Sequence, residues 1–195
     1  TGTIAHTTTS TDTNYNTLSL GSVTAAITDN DTAGITITQS GGNTTVAEGG
    51  TTDSYTVVLN SQPTANVTIA LAPNGQLTTD VTQLVFTPQN WNIAQTVTVT
   101  AANDAIVEGN HTGTIAHTTT STDTNYNTLS LGSVTAAITD NDTAGITITQ
   151  SGGNTTVAEG GTTDSYTVVL NSQPTANVTI ALAPNGQLTT DVTQL

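Results

Sequence analysis

The chain has 195 residues with no Lys, Arg, Cys or Met, and its 14 acids give a formal net charge of -14. Without cationic side chains it cannot neutralise phosphates, which excludes nucleic acid as a partner and argues against an anionic membrane. The absence of cysteine leaves neither a disulfide framework nor a thiolate metal site, and 7% charged residues are too few for a polyelectrolyte tail.

In chain order the first feature is a repeat. Thr1-Gly2-Thr3-Ile4-Ala5-His6 returns as Thr112-Gly113-Thr114-Ile115-Ala116-His117, and residues 1–84 and 112–195 are identical at this offset of 111. A period of that length suits one small domain per repeat, whereas leucine-rich and ankyrin units are far shorter. Ile35-Thr36-Ile37-Thr38 begins a strand that Gly41-Gly42-Asn43 breaks before Thr44–Ala47 resumes it. Ser54–Asn60 alternates, with Tyr55, Val57 and Leu59 on one face, and Val67, Ile69 and Leu71 do the same after a turn at Pro63. Leu84 and Phe86 form a short strand that Pro88 closes. Gln95–Ala101 places Val97 and Val99 inward, and Thr112–Thr120 and Ser133–Thr139 complete the set. No window shows a helical period, and no apolar run is long enough to span a bilayer.

About seven short strands divided by Gly, Asn, Asp and Pro turns read as an all-β fold, an antiparallel β-sandwich of immunoglobulin-like type. On this phasing residues 1–33 are the C-terminal part of one repeat, 34–142 are a complete sandwich, and 143–195 are a linker and the start of the next repeat.

The complete repeat carries eight acids, Glu48, Asp53, Asp80, Asp104, Glu108, Asp123, Asp140 and Asp142, none with a Lys or Arg to pair with. Alternate loops of an antiparallel sandwich emerge at the same pole. Six of the acids fall in such loops: Glu48, Asp80, Asp104, Glu108, Asp140 and Asp142. Calcium takes six to eight oxygen ligands, a demand these carboxylates match with Asn103 and Asn141 beside them. Zinc would call for His or Cys, and no acid cluster has two His at ligand spacing. Asp and Asn also favour turns through their own backbone hydrogen bonds, which is the purely structural alternative.

Val46-Ala47-Glu48-Gly49-Gly50, Asp80 before Leu84-x-Phe86-x-Pro88, Asn103-Asp104-x-x-x-Glu108-Gly109 and Asp140-Asn141-Asp142 together resemble the Calx-β domain family. The resemblance spans 34–142 and implies an immunoglobulin-like sandwich that ligates Ca2+ through Glu48, Asp80, Asp104, Glu108, Asp140 and Asp142. The repeat carries part of this set into the flanking copies as Asp29, Asp31, Glu159 and Asp191. Four positions depart from the family pattern. Asn103 and His111 stand where acids are common, and Gly113 and His117 where large apolar residues are usual. Fewer carboxylates imply fewer ions or weaker binding.

Catalysis is not expected, because Ser121 and Asp123 lie near His117 only along a Thr-rich segment with no fixed geometry. The linker Thr143-Ala144-Gly145 is short, so the carboxylate pole of one repeat abuts its neighbour. The expected function is structural: a calcium-stiffened stalk or fibre outside the cell, of bacterial surface or matrix type, with neighbouring identical repeats as partners. Two alternatives are a module in which Trp91 stacks on surface glycans, and a filament in which other copies of the protein contact laterally or exchange strands.

Overall fold

The computed structural model describes residues 1–195, in which Thr1–Thr32 and Ala33–Leu195 form two compact units. The first unit holds one antiparallel pair, β1 (Gly2–Ile4) with β2 (Val23–Ala25). The second begins with β3 (Ile35–Gln39), β4 (Thr44–Ala47), β5 (Asp53–Leu59), β6 (Val67–Pro73), β7 (Leu77–Thr79) and β8 (Gln83–Phe86). It continues with β9 (Gln95–Ala101), β10 (His111–Ser121), β11 (Val134–Thr139), β12 (Ile146–Gln150) and β13 (Tyr166–Leu170). The chain is largely β, and no helix is long and apolar enough to cross a membrane.

Strands β3 to β11 make two sheets, one ordered β3-β5-β9-β7 and the other β4-β11-β10-β6-β8. The break after β3 explains how one stretch of sequence serves both. Gly41 and Gly42 take φ of 60° and 88°, a left-handed turn that suits residues without a Cβ. The chain crosses there from the first sheet to the second, where β4 pairs parallel with β11 while every other ladder is antiparallel. That parallel pairing sets Ala47 against Thr139, so the residues just beyond both strands leave the sheet side by side.

Alternation is as strict as the sequence suggests. Tyr55, Val57, Leu59, Val67, Ile69, Val97, Val99, Ile115, Val134 and Ile138 are buried between the sheets, and their neighbours along each strand face outward. With few aromatic residues, the core depends on polar groups that are fully satisfied. The Tyr55 hydroxyl donates to Nε2 of buried His117 at 2.9 Å, and His117 Nδ1 donates to the Gly132 carbonyl at 3.1 Å. The Tyr126 hydroxyl donates to the Ser61 carbonyl at 2.6 Å and accepts from the Ser61 amide at 3.1 Å. Asp123 accepts from the amides of Thr64 and Asn125 at 2.7 and 3.0 Å, which holds its carboxyl below the ordinary value.

The sandwich has nine strands where about seven are expected. The extra elements are the split of the first strand and β7, which pairs with the end of β9 through Leu77 and Ala101. β7 also accounts for Gly113, because a Cβ there would lie 2.4 Å from Leu77 Cγ. The Leu77 side chain fills the space that a larger residue at 113 would take.

Residues 143–195 repeat the same local pairing. β12 and β13 run antiparallel with Ile146 opposite Leu170, the register in which Ile35 opposes Leu59. In the first unit, Gly2 opposes Ala25 as Gly113 opposes Ala136. Each register recurs at the 111-residue offset.

Gly113→Ala should cost about 1–3 kcal/mol by overpacking against Leu77. Adding Leu77→Ala should give less total destabilisation than the two single costs combined, as a double-mutant cycle in urea will measure. Burial also lowers the pKa of His117 below the ordinary 6.5, so the unfolded chain takes up the proton first. Stability should therefore be complete above about pH 6.5 and decline as the pH falls below it, with Asp123 adding a further loss in more acid solution. Thermal melts of His117→Gln should show a flatter slope between about pH 6.5 and 5.

Candidate metal centre

Four chain segments end at one pole of the sandwich: the turn after β4, the turn after β6, the 102–110 loop after β9, and the segment after β11. Glu48 follows β4 directly. Its amide donates to the Thr139 carbonyl at 3.0 Å, and its carbonyl accepts from Asn141 Nδ2 at 3.1 Å. Gly49 then turns the chain with a φ of 58°, and a Cβ there would meet Asn103 Oδ1 at 2.9 Å. Asn141 Nδ2 also donates to Asn103 Oδ1 at 2.9 Å, which ties the three segments together.

The Glu48 side chain is 2% exposed, and neither carboxylate oxygen has a hydrogen-bond partner in the protein. Oδ2 of Asp142 is likewise buried and unpartnered. Burial raises the Glu48 pKa foremost, with Asp140, Asp104 and Glu108 adding repulsion and His111 opposing it. A buried anion without a partner is a costly arrangement, and this chain has no Lys or Arg to relieve it. A proton or a metal cation is what remains.

The ligand-capable atoms fall into two groups that share Glu48. In one, carboxylate oxygens of Glu48, Asp104 and Asp142 all lie within 4.8 Å of one another; in the other, atoms of Glu48, Glu108 and His111 do. The first group offers oxygen alone, which suits a hard divalent ion such as calcium. Asp140 sits beside both in a supporting place. Its oxygens accept from the amides of Glu108, Gly109 and Asp142 at 2.7, 2.6 and 2.8 Å. Those bonds hold its carboxyl below the ordinary value, led by the bond from Asp142. Asp104 braces its own loop by accepting from the Ile106 amide at 2.7 Å.

Asp80 is placed away from this group. The sequence pattern puts it in the pole loop, but β7 carries the chain back down the sheet first. Asp80 Oδ1 instead accepts from the Thr98 amide of β9 at 2.8 Å. Gln76 holds the pole position in its stead. Its Nε2 donates to Glu108 Oε1 at 3.0 Å, and its Oε1 lies 3.2 Å from His111 Nε2. Neither Gln76 nor His111 belongs to the ligand set that the family resemblance implies. The spacing of His111 three residues after Glu108 was the available signal. Among the copied positions, Asp31 donates its amide to Asp29 Oδ1 at 3.0 Å, as Asp142 does to Asp140, while Glu159 and Asp191 are exposed.

The loop that carries Asp104 and Glu108 also touches residues 143–195. Ile106 forms a parallel bridge with Gln173, and the Gln173 amide donates to the Ala105 carbonyl at 2.6 Å. Ile106 and Val107 line an open cleft with Ile146, Leu170 and Pro174.

His117 commits both ring nitrogens to Tyr55 and Gly132, and Ser121 Oγ donates to the Asn66 carbonyl and accepts from the Asp123 amide. Trp91 is half-buried against the core, and its carbonyl accepts from the Leu59 amide.

No family model matches the sequence, and no curated protein matches it. Among solved structures, the crystal structure of the apo-form Calx CBD1 domain is 16% identical, with 55% of this chain and 98% of that one covered and a TM-score of 0.40. SSP-19, an MSP-domain protein-like family member in Caenorhabditis elegans, is 12% identical over 53% of this chain and 97% of its own, with a TM-score of 0.35. A two-domain protein of unknown function from Bacteroides fragilis is 9% identical over 60% of this chain and 54% of its own, with a TM-score of 0.40.

Proposed function

We propose that this chain is a stretch of an extracellular tandem array of immunoglobulin-like, Calx-β-like sandwiches, stiffened by calcium where one repeat meets the next. In this reading 34–142 is one whole repeat, and the array serves as a stalk or fibre in cell-surface adhesion or matrix architecture. The observation that carries it is the buried Glu48 carboxylate, with two unpartnered oxygens, one of them within 4.8 Å of carboxylate oxygens of Asp104 and Asp142, in a chain without Lys or Arg.

Calcium among Glu48, Asp104 and Asp142 replaces repulsion by attraction and fixes the segments after β4, β9 and β11 against each other. The loop after β9 reaches the following repeat through Ala105 and Ile106, so an ion that orders this loop also restrains the hinge at 143–145. Rigidity suits such a site better than signalling does, because it lies at a linker of three residues. Glu108 and the positioning carboxylate of Asp140 complete the surroundings.

Removing calcium should lower the melting temperature. An ion present at about 100 times its dissociation constant adds roughly 2.7 kcal/mol to the folded state. Melts in EGTA and in millimolar calcium that superimpose would sink the proposal. Glu48→Gln separates the two sides of the argument. It should weaken calcium binding by at least about tenfold, yet raise the metal-free melting temperature by relieving a buried charge. Calorimetric titration and melts in EGTA check both signs.

A further inference from the structure

We propose that Glu48, Glu108 and His111 form a mixed nitrogen–oxygen subsite for a late first-row divalent cation, with zinc as the favoured ion, beside the all-oxygen group of Glu48, Asp104 and Asp142. The inference rests on the reading of Glu48 as a cation ligand and deepens it by adding a second ion of different chemistry.

His111 Nδ1 lies 2.8 Å from the Gly109 carbonyl oxygen, which only accepts, so Nδ1 carries a hydrogen. In the neutral ring Nε2 then presents a lone pair. Two atoms face it: Gln76 Oε1 at 3.2 Å and Glu108 Oε2 at 3.4 Å. The amide of Gln76 cannot be reversed to help, because its nitrogen already donates to Glu108 Oε1 at 3.0 Å and the reversed form would oppose oxygen to carboxylate. A lone pair set against two acceptor oxygens requires something positive between them.

A proton on Nε2 would satisfy Glu108 and Gln76. It would still leave both oxygens of Glu48 without a partner, although both are buried and one lies within 4.8 Å of the other two ligand atoms. One divalent cation satisfies Nε2, Glu108 and Glu48 together. The donor set decides which cation. Calcium selects oxygen. An imidazole nitrogen with two carboxylates suits zinc and its neighbours, whose affinity for such sites exceeds that of the harder ions. The supports are also in place. The Nδ1–H bond to a backbone carbonyl fixes the tautomer and aims the ring, as at zinc-bound histidines generally. Asp140 holds the Glu108 and Gly109 amides at 2.7 and 2.6 Å, and Gly109 turns the loop with a φ of 67°.

The test titrates the whole 195-residue chain with Zn2+ and, separately, with Ca2+ in a calorimeter. In His111→Gln, zinc affinity should fall at least about tenfold while calcium affinity stays within about threefold. Glu48→Gln should weaken both, and His6→Gln neither. In the unaltered chain, long-range 1H–15N spectra at saturating zinc should show His111 Nε2 metal-bound rather than protonated. Unchanged zinc affinity in His111→Gln, no zinc binding by the unaltered chain, or an imidazolium signature at saturation overturns the subsite. Zinc binding that depends on His111 in a chain that ignores calcium supports the subsite and removes the calcium reading alone.

Discussion

A carboxylate that is buried, ionisable and unpartnered organises this molecule, because the chain contains no basic residue longer than histidine to answer it. Glu48 reaches that position through backbone geometry. The left-handed turn at Gly41 and Gly42 moves the first strand into the second sheet, parallel pairing with β11 aligns Ala47 with Thr139, and the next residue emerges beside Asp140 to Asp142. The carbonyl and amide of Glu48 are both satisfied by the neighbouring segment, so its main chain cannot shift toward solvent without breaking the seam. Charge and chain path are therefore in conflict unless a proton or a metal cation reconciles them.

The rest of the sandwich shows the opposite treatment of polar groups. His117, Tyr55, Tyr126, Ser61, Thr119 and Asp123 are all buried, and each has a hydrogen-bond partner. A lean core of β-branched residues gains definition from these pairs, since a satisfied buried network fixes one arrangement where apolar contacts alone tolerate several. Against that background the two free oxygens of Glu48 and the one of Asp142 are the exceptions.

Much of this was legible in the sequence. The Val and Ile alternation located the strands because solvent and core impose a period of two on any sheet with one buried face. The Gly-Gly break, the acids and the repeat were equally plain. Three features were not. β7 is three residues long, and Leu77-Thr78-Thr79 has too little alternation to register as a strand. Missing it misplaced Asp80, since a short added strand changes which residue stands at the turn. Tyr126 lies in a segment that reads as a polar turn, and only the fold brings Ser61 to its hydroxyl. His111 read only as a departure from a family pattern, because its contact with Gln76 joins positions distant in sequence.

The parallel seam between β4 and β11 has a consequence for the order in which the protein assembles. Hairpins such as β12–β13 pair neighbours along the chain, and the same register occurs in β3–β5, so these ladders close small loops. The seam instead joins segments as far apart as Glu48 and Asn141, a separation of 93 residues. Closing so long a loop is entropically costly and comes late, after local pairing has shortened the effective distance. The carboxylates come together only when that seam closes, so contact order places their cluster among the last parts of the sandwich to form, and under the proposed reading a cation bound there would fasten that late step.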